Sequence, residues 1–86
     1  RSRVVNEAGM EQMVKGLTAL GFAPIPSEAN FVYVDVGRDG RAVFEAMLRE
    51  GVIVRHIEGR MVRVTIGLEE ENREFLAALK RVIHPH

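Results

Sequence analysis

The chain contains no cysteine, which excludes a disulfide framework and a thiolate metal site. That absence fits a reducing cytoplasm, the compartment expected here. Net charge is also lacking. Twelve Lys and Arg balance twelve Asp and Glu, so no overall field draws the chain to nucleic acid or to an anionic membrane. No apolar run approaches the ~20 residues that span a bilayer, and no apolar signal region follows the charged N-terminus. His56, His84 and His86 have no carboxylate partner at metal-ligand spacing, so no metal site is expected. Internal repeats and low-complexity segments are absent. The chain begins at Arg1, not at a methionine, and the expectation is a piece of a longer protein.

What is present is an ordinary globular composition. The 86 residues suffice for one small domain, residues 1–86, and 47% of them are apolar against 28% charged. Met10, Met13, Val14, Leu17 and Leu20 recur at helical spacing with Gly21 as the stop, predicting a first helix from about Glu7 to Leu20. The methionines read as core filler. Phe22–Ser27 is an extended connector whose two prolines forbid helix and sit poorly in a central strand. Asn30–Val36 is a strand, apolar on both faces and so expected to be covered on both, with Tyr33 in the core. Asp39 is the expected N-cap of a second helix that buries Val43, Phe44, Met47 and Leu48 and stops at Gly51. Val52–Arg55 is a short second strand, and His56–Arg60 is a loop in which Arg60 is solvated. Met61–Gly67 is the third strand. The last helix buries Phe75, Leu76, Leu79, Val82 and Ile83, then frays at His84–His86, where the terminal residues are expected to be disordered.

The order helix-strand-helix-strand-strand-helix implies an α+β two-layer sandwich. A right-handed crossover makes the first two strands parallel, and the third, antiparallel to the second, fits between them. The expected result is a small mixed three-stranded sheet with its crossover helices on one face.

Everything is organised around Met61-Val62-Arg63-Val64-Thr65-Ile66-Gly67. Val62, Val64 and Ile66 share one face of the strand, and Met61, Arg63 and Thr65 the other. A charge in mid-strand must be hydrated or paired, so Arg63 is expected to leave the open face and hold an anion. The plainer alternative is an ion pair with Asp35 or Glu58. The simplest hairpin register sets Ile53 opposite Arg63, with Arg55 on the same face and Asn30 or Phe31 nearby. Asn30 also reads as an ordinary residue at a strand start. Glu69-Glu70-Glu71 suits the positive end of the last helix better than an acid/base role.

Three segments carry a resemblance over essentially the whole chain: Ser27-Glu28-Ala29-Asn30-Phe31-Val32, Gly51-Val52-Ile53-Val54-Arg55, and Val62-Arg63-Val64-Thr65-Ile66-Gly67 with Glu70-Glu71-Asn72. In that order they resemble the C-terminal small domain of histidinol-phosphate-type aminotransferases, members of the fold-type-I pyridoxal-phosphate family. The resemblance implies that Arg63 holds the substrate's α-carboxylate, that Arg55 serves a phosphate or second anion, and that Asn30 and Phe31 border the substrate. It implies amino transfer between glutamate and imidazole-acetol phosphate in histidine biosynthesis, by a cytoplasmic homodimer. Pyridoxal phosphate would be bound by a large domain absent here, and the amino-acid or keto-acid substrate would lie between the two domains. The chain's two lysines, Lys15 and Lys80, fall in surface contexts on helices, so this piece alone is not expected to transaminate.

Two features depart from the family's pattern. The loop between Arg55 and Arg63 is short, and Leu68 stands where a capping threonine is common, leaving Gly67 and the acidic turn to satisfy the helix start. Related aminotransferases and threonine-phosphate decarboxylase use a similar domain. An amino-acid-binding regulatory module of ferredoxin-like type is the competing class, for which Gly37-Arg38-Asp39-Gly40 is a weak match. An RNA-recognition sheet ranks low because the central strand has no aromatic.

Overall fold

The computed structural model describes residues 3–27 and 29–84. Its elements are α1 (Arg3–Ala19), β1 (Ile25–Pro26), β2 (Phe31–Asp35), α2 (Gly40–Arg49), β3 (Arg55–Glu58), β4 (Met61–Thr65) and α3 (Glu69–Ile83). Glu28, Pro85 and His86 lie outside the described residues, so the expected disorder of the terminus is not addressed.

The sheet order is β1-β2-β4-β3, which places the arginine strand β4 between the two expected neighbours. The fold is α+β with all three helices on one face, and the central strand is where the sequence predicts it. The strand number and the label "mixed" are corrected. Among the described residues there are four strands, and every paired neighbour is antiparallel. β2 and β3 run parallel to each other, as the crossover requires, but β4 separates them. The added strand β1 comes from the proline connector. Its place at the edge is the one position where a missing amide donor costs no ladder bond.

Alternation along the strands divides the layers. Val32 and Val34 of β2 and Val62 and Val64 of β4 are buried under the helices, with Val36, Val54 and Ile66 continuing the core from the strand ends. From the helices come Met13 and Leu17 of α1, Val43 and Met47 of α2, and Phe75, Ala78, Leu79 and Ile83 of α3. Leu48 is not part of this stripe and is exposed; Phe44 only packs on its margin. α1 starts earlier than Glu7, and Gly21 and Gly51 follow α1 and α2 with φ of 98° and 82°. Such values suit glycine and end each helix.

The second hairpin differs from its expected form. Val52–Val54 are not a strand: Val54 dips into the core, and Ile53 is 80% exposed. The strand is Arg55–Glu58, which begins at the last residue of the expected strand and runs into the expected loop, and the turn is confined to Gly59 and Arg60. Asp39 precedes α2 but makes no side-chain capping bond. Instead the Gly40 N–H donates to the Gly59 carbonyl at 2.8 Å, tying the start of α2 to that turn. At α3, leucine has no side-chain oxygen to cap with, so only the reciprocal half of a capping box forms. The Leu68 N–H donates to Glu71 Oε1 at 2.8 Å.

Candidate anion-binding site

Because β4 alternates, burying Val62 and Val64 turns Arg63 onto the face the helices leave open. Its cross-strand partners are Tyr33 on β2 and Arg55 on β3. The expected partner Ile53 is therefore replaced by Arg55, two residues along, and the two arginines face each other directly. Tyr33, expected in the core, is half-buried on this open face. Among the described residues nothing covers β2 on that side, so its second apolar face is not enclosed as the sequence suggested.

The Arg63 guanidinium carbon lies 4.1 Å from the centroid of the Phe31 ring. Stacking of this kind holds the fork flat and contributes about 0.5–2 kcal/mol. Arg63 Nε is buried and has no hydrogen-bond partner among the described residues. A buried donor left in that state costs on the order of 1–3 kcal/mol, and more when it belongs to a charged group. The plain ion-pair alternative with Asp35 does not form. Asp35 Oδ2 instead accepts from Arg60 Nη2 at 3.0 Å, so Arg60 is paired across the turn where solvation was expected. Neither Arg55 nor Arg63 has an ion-pair partner among the described residues.

A groove of about 610 Å³ opens beside this pair, with Arg41, Phe44, Ile53, His56 and Thr65 among its lining residues. Arg41 and His56 are additions that sequence reasoning missed. Both reach the groove because the start of α2 rests on the Gly59 turn, a contact that no periodicity announces. His56 Nε2 lies 3.1 Å from the Gly59 carbonyl oxygen. Arg41 Nε sits 3.3 Å from Glu45 Oε2, an exposed pair on α2. Among the described residues no group of His, Asp and Glu could hold a metal.

Asn30 is placed differently from Phe31. Its Nδ2 donates to the Ile66 carbonyl at 3.2 Å, while the Ile66 N–H donates to the Asn30 carbonyl at 2.8 Å. It pins the start of β2 to the end of β4. Ser27 Oγ donates to the Phe31 carbonyl at 2.9 Å and closes the loop that leads into Phe31.

Two cations are thus opposed across a pair of strands, one with an unsatisfied buried donor, and guanidinium N–H groups of this kind are suited to anionic acceptors. Known proteins share the arrangement's scaffold. A histidinol-phosphate aminotransferase of Nitrosococcus oceani is 54% identical over 96% of this chain and 24% of its own length. One from Pseudomonas aeruginosa is 49% identical over the same shares. A crystal structure of the Sinorhizobium meliloti histidinol-phosphate aminotransferase, in complex with pyridoxal-5'-phosphate, superposes with a TM-score of 0.84. It is 27% identical, over 94% of this chain and 24% of that one. The chain thus spans about a quarter of the length of the curated relatives it matches. The family model "Aminotransferase class I and II" matches residues 7–79, from α1 to the last core leucine of α3. With so much of the fold inside the match, the regulatory-module and RNA readings fall away, and this chain belongs to the class I and II aminotransferases.

Proposed function

We propose that the chain is the substrate-clamping small domain of a histidinol-phosphate aminotransferase, and that Arg63 grips the substrate's α-carboxylate. The observation that carries the reading is the buried Arg63 Nε with no partner among the described residues. A carboxylate takes two parallel N–H bonds from a guanidinium edge, and Nε with one Nη forms such an edge. The Phe31 ring lies under the guanidinium carbon of the same group, and cation–π contact of this kind uses the face and not the N–H edge. The clamp's contribution is orientation: holding the carboxylate fixes the bond that must face the cofactor. Arg55, directly opposite, takes the second anionic group, a side-chain carboxylate or a phosphate. Asn30 and Phe31 border the substrate, Asn30 by fixing the strand ends and Phe31 by contact.

The implied reaction moves an amino group between glutamate and imidazole-acetol phosphate in histidine biosynthesis, in a cytoplasmic homodimer. Pyridoxal phosphate supplies the electron sink for that chemistry, but this chain's residues do not fit it. Lys15 and Lys80 are exposed on α1 and α3, on the helical layer, and Lys15 Nζ is 3.1 Å from Glu11 Oε2. The cofactor and its lysine belong in this reading to a separate large domain, the direct partner of the open sheet face.

The test is a titration of the full-length enzyme and its Arg63→Ala variant with L-glutamate, followed by cofactor absorbance. Loss of the clamp is expected to cost about 2–4 kcal/mol of binding with the resting spectrum intact. An unchanged titration curve would remove Arg63 from the substrate site.

A further inference from the structure

Among the described residues Asn72 is the polar residue buried in the core, 1% exposed on the inner face of α3. Its Oδ1 accepts from the Gly67 N–H at 2.9 Å. Its Nδ2 donates to the Gly67 carbonyl at 3.1 Å and to Gln12 Oε1 of α1 at 3.0 Å. Gln12 Nε2 in turn donates to the Glu69 carbonyl at 3.2 Å. The amide's orientation is fixed by this pattern, since Gly67 offers one donor and one acceptor to it. α1 comes close at this point: a methyl on Gly9 would lie 2.7 Å from Ile66 Cγ2 and 3.4 Å from Asn72 Nδ2.

The peptide group between Ile66 and Gly67 is therefore held from two sides. Asn30 Nδ2 binds its carbonyl, and Asn72 Oδ1 binds its N–H. On one side of that peptide lies Arg63-Val64-Thr65; on the other, through Asn30, lies Phe31, the ring under the Arg63 guanidinium. We infer that Asn72 is a positioning residue for the substrate clamp, locking α1 and α3 to the junction where the Arg63 strand and the Phe31 strand meet. The inference rests on the reading of Arg63 as a carboxylate clamp. The Asn72 hydrogen bonds replace those that water would give the Gly67 backbone, and losing them leaves part-buried donors and acceptors unmatched. The junction then relaxes and shifts the Arg63 edge relative to Phe31.

The test measures the inhibition constant of glutarate, a dicarboxylate that needs no chemistry to bind, in the full-length enzyme. A residue that only stabilises the fold lowers the active fraction and Vmax but leaves this constant alone. Asn72→Ala is expected to raise it about tenfold, the scale on which small misplacements of a positioning group act. Arg63→Ala should raise it further, and adding Asn72→Ala to Arg63→Ala should change it no more. If Asn72→Ala does not fold, Gln12→Ala removes one bond to the same amide and should raise the constant about threefold. A constant unmoved in the Asn72 or Gln12 variant, with Arg63→Ala still effective, overturns this inference alone. A constant unmoved by Arg63→Ala overturns the clamp and this inference together.

Discussion

Like charges set directly opposite on neighbouring strands weaken a sheet, and Arg55 and Arg63 are such a pair. Replacing one should therefore stabilise the fold while weakening anion binding. For Arg55→Thr, the urea midpoint without ligand is expected to rise by the equivalent of about 0.2–1 kcal/mol. The stabilisation by added inorganic phosphate should shrink, which the same titration measures. Arg60, by contrast, pairs with Asp35 at an exposed site, and Arg60→Ala should shift that midpoint by less than about 1 kcal/mol. At this scale much of the site is legible in the sequence. Arg63 stands out because a charge at mid-strand, flanked by valines, demands a partner. Asn72 could have been found as well, since it lies on the same stripe as Phe75, Leu76 and Leu79. Arg41 could not, because its place in the groove depends on how α2 meets a turn eighteen or more residues later.

The elements were legible where periodicity is strong, and less so where pairing overrides propensity. β2, β4 and the three helices follow their apolar spacing. β3 does not: Val52 to Val54 look like a strand, yet the residues that pair with β4 are Arg55, His56 and Glu58. The ladder that β4 offers decides the strand, not intrinsic preference. β1 was missed because two residues, one of them proline, carry no alternation. The contact that fixes the second hairpin is the Gly40–Gly59 approach. A methyl on Gly40 would sit 2.8 Å from the Gly59 carbonyl oxygen and 2.8 Å from His56 Cδ2. Backbone cannot swing aside as a side chain can, so Gly40→Ala should destabilise the domain by about 1–3 kcal/mol in urea unfolding. It should also disturb the groove that His56 and Arg41 line.

As a whole, the molecule is a sheet finished on one side. Helices bury the valine face; the other carries Phe31, Tyr33, Met61 and Arg63, all half-buried. In the proposed reading that face is half of a cleft; the chain matches about a quarter of each curated relative's length. The 86-residue chain alone, supplied with pyridoxal phosphate, glutamate and a keto acid, should form no new amino acid above the rate of free cofactor. Amino-acid analysis of the mixture checks this. The central claim is that the buried Arg63 Nε awaits a substrate carboxylate, and the most direct measurement is a crystal structure of the full-length enzyme with glutarate bound. A carboxylate oxygen is expected at about 2.7–2.9 Å from Arg63 Nε, with a second on the neighbouring Nη. A carboxylate bound elsewhere, with Arg63 Nε bonded to a protein group, would contradict it.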